Sequence, residues 1–408
     1  MTAPMRILFL THYYPPELGA PQTRLRETAA GLGSLGHTVR VLTGPPHYPD
    51  GKVRPGYRAW RPSVELIDGV RVHRLPMWPR RNGGFLDRAI DQGSFAAAAM
   101  TAIGDVRWAD VVLVESPPLF LGATAAWQRL LTGRPYVFHV ADPWPDFPIA
   151  MGALRNPIAK RAAFGLEGLA YRHAAFVTTV TPGLVELLER KPAARGKVRL
   201  VPNGVDVTRF DPARSADEAR AGLGWQDAPL TLVYAGSVGL AQGLGTLLDA
   251  VEPLRDAGVV VHVVGEGFER ERLSLEAQQR GLTHVVFEPP LPASRIPDVL
   301  AAADGVLVLL RAGPLYEHSL PTKLLEGLAA GRPIVISSAG EAARIVAEGG
   351  AGLSAAPEDS AALRDAIERL AGADRPALGA AGRRIAEHYD RRAIVSDLAG
   401  ILAEAVAR

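Results

Sequence analysis

The 408-residue sequence contains no cysteine. Disulfides, thiolate metal sites and a cysteine nucleophile are therefore excluded, and the composition fits a reducing cytoplasm. It also lacks long hydrophobic runs. The longest, residues 95–103 and 117–127, are Ala-rich and fall short of the roughly 18–20 residues that a helix needs to cross a bilayer. The opening MTAPMRILFL has no signal-peptide layout and runs straight into a strand-like segment. The expectation is a cytoplasmic protein that can sit peripherally on the inner face of a membrane. Three further patterns are missing. No spaced glycine triplet marks a dinucleotide fold, no Ser-His-Asp order or His-Glu-x-x-His pattern points to hydrolysis, and no basic-aromatic cluster points to nucleic acid.

What is present suits a large α/β protein. Apolar residues make up 48% of the chain, and the length is enough for two domains of ordinary size. Net charge is only +2, but it is unevenly spread: residues 1–180 carry 20 Lys/Arg against 13 Asp/Glu, and the remainder carries the acidic excess. A basic half either meets something anionic, such as a membrane surface or a phosphorylated acceptor, or is simply a solvated Arg-rich surface.

Short apolar runs alternate with helical patterns along the chain. Residues 5–10, a loop, a helix from about 23 to 35 and a strand at 38–42 form a βαβ unit. Gly19 and Ala20, just before that helix, are small enough for backbone N–H groups to approach an anion. Residues 44–61, rich in Pro, Gly, Tyr and His, read as a functional loop. Residues 64–75 read as a hairpin turned at Asp68-Gly69. Trp78, Arg80 and Arg81 form a basic-aromatic edge ahead of a helix from 85 to 103; contact with headgroups or acceptor competes there with an ordinary crossover helix. Strands at 111–115, 136–140 and 176–180 follow. The strand at 136–140 opens into ADPWPDFPIAMG, and open α/β sheets bind ligands at such strand ends. The segment 198–206 begins a second alternation, with strands at 230–234, 259–264, 285–287, 305–310 and 334–338 and a helical tail from about 380. Two doubly wound α/β domains are expected, 1–190 and 191–384, with a helix over 385–408 returning to the first.

The stretch from Arg311 to Ser338, RAGPLYEHSLPTKLLEGLAAGRPIVISS, organises the second half. A polar, proline-interrupted loop precedes a short helix carrying Lys323 and, one turn later, Glu326. A cation, backbone N–H groups and a carboxylate at a helix N-terminus suit a phosphate flanked by sugar hydroxyls.

Taken in order, LTHYYPPELGAPQTRL, VFHVADPWPDFP, VPNGVD, YAGSVGLAQGLGTLLDAV, VVGEGFERERL, ADGVLVLL and LPTKLLEGLAAGRPIV resemble glycosyltransferase family 4 over nearly the whole chain. These are retaining nucleotide-sugar transferases of the GT-B fold, and the nearest subgroup is the bacterial N-acetyl-fucosamine-type transferases of surface-polysaccharide assembly. The resemblance implies two facing Rossmann-like domains, with a nucleotide-diphospho-sugar, a UDP-sugar by subgroup, held by the C-terminal one. The acceptor, a lipid-linked glycan or a small molecule, is offered by the N-terminal one. No cofactor or metal is expected; cations and helix N-termini neutralise the diphosphate.

Carried over residue by residue, Glu326 matches the second glutamate of a Glu-x7-Glu motif that holds the ribose. The first would fall on His318, so the sugar contact passes to Glu317, to His318 or to the backbone of Ser319, Pro321 and Thr322. In the Gly-rich turn that begins at Gly236, two cations of the family pattern are replaced by Ser237 and Gln242, both neutral. A buried diphosphate needs positive charge, which puts Lys323 forward as its main ligand, with Arg24 and Arg311 as weaker additions. Gly265 and Glu266 lie at the same sheet edge, as turn residues or nucleotide contacts, and Leu291 or Arg295 would lie nearest the base. Asp142 and His139, with Asp146 as a further candidate, would orient the acceptor or stabilise charge at the anomeric carbon. The competing class is a catalytically inactive nucleotide-sugar- or glycan-binding subunit of the same fold, for which the lost cations speak.

Overall fold

The computed structural model describes every residue except 1, 2, 18, 49, 50, 81–83 and 290, and leaves the side chains of Ala20 and Phe85 undescribed. Arg81 of the basic-aromatic edge therefore lies outside the described residues. The chain divides into two compact units, Met1–Pro202 with Arg392–Arg408, and Asn203–Arg391.

The first unit is built on eight strands: β1 (Arg6–Leu10), β2 (Thr38–Thr43), β3 (Ser63–Ile67), β4 (Val70–Arg74), β5 (Val111–Ser116), β6 (Tyr136–Val140), β7 (Phe176–Thr179) and β8 (Val198–Leu200). Their order is β3-β4-β2-β1-β5-β6-β7-β8, with only β3 antiparallel. Strands β5, β6 and β7 are buried along their whole length, as continuous Val-rich runs covered on both faces must be. The β3–β4 hairpin turns at Asp68 and Gly69 as expected, both with positive φ. The order of chain entry reverses between β1 and β5, so this is the crevice where a doubly wound sheet receives ligands.

The second unit has six parallel strands: β9 (Leu230–Ala235), β10 (Val259–Val264), β11 (Val285–Phe287), β12 (Gly305–Leu309), β13 (Ile334–Ser337) and β14 (Gly352–Ala355). They run β11-β10-β9-β12-β13-β14, and the reversal falls between β9 and β12. Leu232, Tyr234, Val261 and Val263 point into one core layer, while Val233, Val306, Val308, Leu324 and Leu328 fill the other. The period-2 alternation of buried side chains is thus satisfied on both faces.

Two expectations move. The expected boundary at 190 gives way to Pro202, because β8 pairs in parallel with β7 and completes the first sheet; the segment 198–206 does not open the second alternation. The helix expected over 385–408 is interrupted. One helix, Arg375–His388, belongs to the second unit, and Arg391–Ala407 is the returning one. The latter places Ile394, Val395, Leu398, Ala399 and Leu402 among Ile7, Phe9, Val39 and Val41. Gly31 makes room for it, since a Cβ there would lie 3.1 Å from Val395. Among the described residues no helix is long and apolar enough to cross a membrane.

Candidate functional site

In the second unit the predicted residues converge on the crevice between β9 and β12. Strand β9 ends in Tyr234 and Ala235, and Gly236 follows with φ +144. A Cβ on Gly236 would sit 2.9 Å from both Cε and Nζ of Lys323. The glycine is therefore needed twice, for its backbone conformation and for the lysine lying across it. Lys323 Nζ donates to the Tyr234 hydroxyl and rests 3.8 Å from the centre of its ring. The tyrosine in turn donates to the Ser237 carbonyl at 2.5 Å. Burial draws the lysine down to about 7, against the pull of Glu326. Near neutral pH it is therefore shared between amine and ammonium in a partly dry place, and an anion beside it would favour the charged form.

Lys323 lies in the first turn of helix Thr322–Ala329, whose N-cap, Pro321, supplies no side-chain cap. The leading backbone N–H groups of such a helix are anion donors. Pro321 and Thr322 are half-buried beside it, and Glu326, also half-buried, stands one turn on. The loop ahead of the helix is pinned from behind. Tyr316–His318 form a single 3-10 turn, and Gly340, with φ +74, touches the Glu317 carbonyl so closely that a Cβ would come within 2.0 Å. Glu317 is exposed, His318 and Ser319 are half-buried, and the Ser319 hydroxyl donates to the Leu315 carbonyl at 3.4 Å.

The neutral residues of the Gly-rich turn have structural work. Ser237 offers its carbonyl to Tyr234, and Gln242 Oε1 accepts the Gly239 N–H at 3.1 Å, closing the turn. The adjoining loop packs backbone on backbone: Val238 N–H donates to Glu266 O at 2.9 Å, and Gly265, with φ +150, would carry a Cβ 1.8 Å from the Gly236 carbonyl. Glu266 itself is exposed and faces Arg270. Not every candidate joins the cluster. Arg311 pairs with Glu358 at 3.0 Å. Arg295 is drawn to Asp298 and the Gly222 carbonyl, each at 3.0 Å. Leu291 packs on the core.

The first unit gathers a second set at its own strand ends. Glu115, His139 and Thr178 are register neighbours on β5, β6 and β7, so their side chains leave the same face. His139 Nδ1 meets the Thr178 hydroxyl at 2.9 Å, while its Nε2 is buried without a partner. Burial, and secondarily Arg24, push the imidazole well below its ordinary range, so it is neutral. Arg24 is bonded to Glu115; burial raises that carboxyl and the guanidinium counters it. Asp142 is exposed just beyond β6. Desolvation raises its carboxyl above the usual carboxylate range, and Arg24 counters the shift. Asp146 is held by Lys191 at 2.5 Å, together with Glu167. Gly19 caps helix Ala20–Ser34 without a side-chain bond. Gln22 folds over it, 2.4 Å from where a Cβ would be, which occupies one side of the expected anion cradle.

Sequence reasoning missed Tyr234 and Glu115. A tyrosine or glutamate inside an otherwise apolar strand must find a polar partner, and that signal was present in LTLVYA and VVLVES.

Two family descriptions match the chain: a glycosyl transferase 4-like domain over residues 19–204 and glycosyl transferases group 1 over residues 229–372. The putative colanic acid biosynthesis glycosyl transferase WcaI of Escherichia coli K12 is 31% identical over 343 residues, 82% of this chain and 83% of that protein. The 2-deoxystreptamine glucosyltransferase of Streptomyces kanamyceticus is 28% identical over 367 residues, 86% and 89% of the two chains. Among solved structures, Anabaena HepE, determined with UDP and glucose, superposes with a TM-score of 0.74 at 19% identity, covering 98% of this chain and 99% of its own.

Proposed function

The chain belongs to the family 4 glycosyltransferases of the GT-B fold, and from that premise we propose that it transfers a sugar, with retention, from a UDP-sugar to a hydroxyl of a lipid-linked glycan. The observation that carries this reading is the placement of Lys323 over Gly236 at the mouth of the β9–β12 crevice, beside an uncapped helix start. The diphosphate lies against that ammonium and the helix N–H groups, and Glu326 takes the ribose hydroxyls. Glu317 or His318, with the backbone of Ser319 to Thr322, receives the sugar.

The acceptor oxygen attacks the anomeric carbon on the face from which the diphosphate leaves. The C–O bond to phosphate breaks, the new glycosidic C–O bond forms, and a leaving phosphate oxygen takes the acceptor proton. Lys323 then stabilises charge that grows during the step, which is where such a group lowers a barrier. In the first unit, His139 Nε2 and the Asp142 carboxylate position the acceptor.

HepE, solved with UDP and glucose, supports the uracil nucleotide. WcaI, whose name refers to colanic acid biosynthesis, supports a glycan acceptor, and the 2-deoxystreptamine enzyme keeps a small-molecule acceptor as the second reading. The resemblance to N-acetyl-fucosamine-type transferases makes UDP-activated amino sugars the first donors to try. Peripheral membrane contact fits an edge of the first unit, where Trp60 and Trp78 are both exposed with rings 5.7 Å apart and Arg80 covers Trp78. Aromatic-basic edges suit headgroup layers.

Calorimetry tests the donor site with UDP, GDP and ADP. The wild type should prefer UDP, with affinity unchanged by EDTA. Lys323→Ala should lose about 1.5–3 kcal/mol, or about 10- to 100-fold in Kd. Binding without turnover of any UDP-sugar would return the inactive binding subunit, and no nucleotide binding at all would remove the reading.

A further inference from the structure

Apart from the strand-end residues already described, the first unit holds a buried cluster that the transfer reaction does not use. His12 follows β1, His47 lies in the loop after β2, and Asp91 sits on helix Phe85–Met100. All three are almost fully buried. His12 Nε2 lies 2.8 Å from one Asp91 oxygen and His47 Nε2 lies 2.9 Å from the other. One ligand-type atom from each residue falls within 4.8 Å of the others.

We propose that His12, His47 and Asp91 form a structural site for a divalent transition cation of the zinc class. Two imidazole nitrogens and a carboxylate oxygen are ligands such ions take. The outer contacts have the right form at His47, while His12 Nδ1 is buried without a hydrogen-bond partner among the described residues. His47 Nδ1 meets the Pro45 carbonyl at 2.8 Å, which keeps a proton on Nδ1 and leaves Nε2 free to ligate, as metal-bound histidines are commonly held. Asp91 Oδ1 also accepts the Arg80 N–H at 3.1 Å. Glu17, likewise buried, accepts the N–H groups of His47 and Tyr48, each at 2.8 Å. Asp91 and Glu17 thus flank the His47 ring on opposite sides, and rings from Tyr13, Tyr48 and Phe95 pack around the cluster, where a doubly charged ion adds positive charge beside buried carboxylates. A buried charge needs that compensation.

Ligand atoms around tetrahedral zinc stand about 3.3 Å apart, given bonds of about 2.0–2.1 Å. The two contacts with Asp91, 2.8 and 2.9 Å, need to open by about half an ångström, and the widest separation, within 4.8 Å, has to close. On binding, each Nε2–H that now faces Asp91 is replaced by an N–metal bond, and the protons leave to solvent. The ion would clamp the loop over 44–61 to β1 and the helix. It has no part in the donor chemistry of the second unit.

The decisive variants are His47→Gln and His12→Gln. A glutamine amide can still donate to Asp91, so a purely hydrogen-bonded cluster survives the change, whereas a zinc site loses a ligand. The full chain, stripped with chelator and dialysed, is titrated with Zn2+ while bound metal and thermal stability are followed. One Zn2+ per chain with a raised Tm is expected for the wild type. Loss of at least ~100-fold in affinity is expected for each glutamine variant, and no change for the exposed-site control His388→Gln. Co2+ added to the wild type should give the visible absorption of a site of two imidazoles, one carboxylate and a completing water, a readout that stands even where a variant fails to fold. Absence of stoichiometric Zn2+ uptake and of the Co2+ bands in the wild type overturns the proposal, as does equal uptake by the glutamine variants.

Discussion

At the residue scale, Lys323 lies across Gly236 and against Tyr234, and the phosphate role proposed for it is the first thing to test. Its position one turn before Glu326 was legible because the neutral Ser237 and Gln242 left a diphosphate without another nearby cation. The route by which it is held was not legible, because Tyr234 lies 89 residues away in sequence and meets it only through the fold. The tyrosine tunes the lysine, and two outcomes follow. Tyr234→Phe removes the acceptor of the ammonium and the donor to Ser237, and should cost about 0.5–1.5 kcal/mol in UDP affinity, read by calorimetry. The second outcome concerns pH. The free lysine titrates near 7 and a bound diphosphate raises that value. Affinity should therefore be flat below about pH 7 and fall, by up to about tenfold per pH unit, as pH rises beyond it. A UDP-sugar is the proper ligand, since its diphosphate stays fully ionised from about pH 6 to about pH 9. Lys323→Arg, which does not deprotonate in that range, should flatten the profile. A wild-type affinity that is constant to pH 9 would mean that the ammonium does not contact the phosphates.

At the scale of elements, the strands were legible because each is a short apolar run with turn residues at its ends. The Asp68-Gly69 hairpin was legible for the same reason, from the chemistry of its turn. What failed was assignment to a sheet. Val198–Leu200 is three residues long, and nothing in VRL says whether its partner is the strand before it or the one after; hydrogen bonding to β7 decides. The glycines of the donor loops were legible as turns, but their backbone-to-backbone packing was not. Gly236→Ala tests a further close approach, that of the Lys323 side chain. Its new Cβ would press on Lys323 Cε and Nζ in a positive-φ conformation, which should cost about 1–3 kcal/mol of stability and lower UDP affinity to near that of Lys323→Ala. Gly245→Ala, with open space around the added carbon, should leave both unchanged. Equal effects of the two changes in calorimetry and thermal melts would refute the close approach.

At the scale of the whole molecule, each unit has its own sheet and its own core layers, yet the chain closes the first only with its last helix. Leu402, fully buried among residues of the N-terminal sheet, makes that closure testable. Leu402→Ala removes a packed side chain and should destabilise the first unit by about 2–5 kcal/mol. The second unit has a separate lever, because a ligand that binds only the folded state stabilises it, by about 2.7 kcal/mol at a hundredfold excess over Kd. A protein with two cores need not unfold as one body, so a single melting temperature is the wrong measurement. Hydrogen exchange followed peptide by peptide resolves the two. Leu402→Ala should speed exchange in β1, β2 and helix Ala20–Ser34 while leaving β9, β12 and helix Thr322–Ala329 protected. UDP should slow exchange in the latter group in wild type and variant alike. If Leu402→Ala loosened the donor-site strands as much as the N-terminal sheet, the two cores would form one cooperative unit, and the last helix would support the nucleotide site as well as its own sheet.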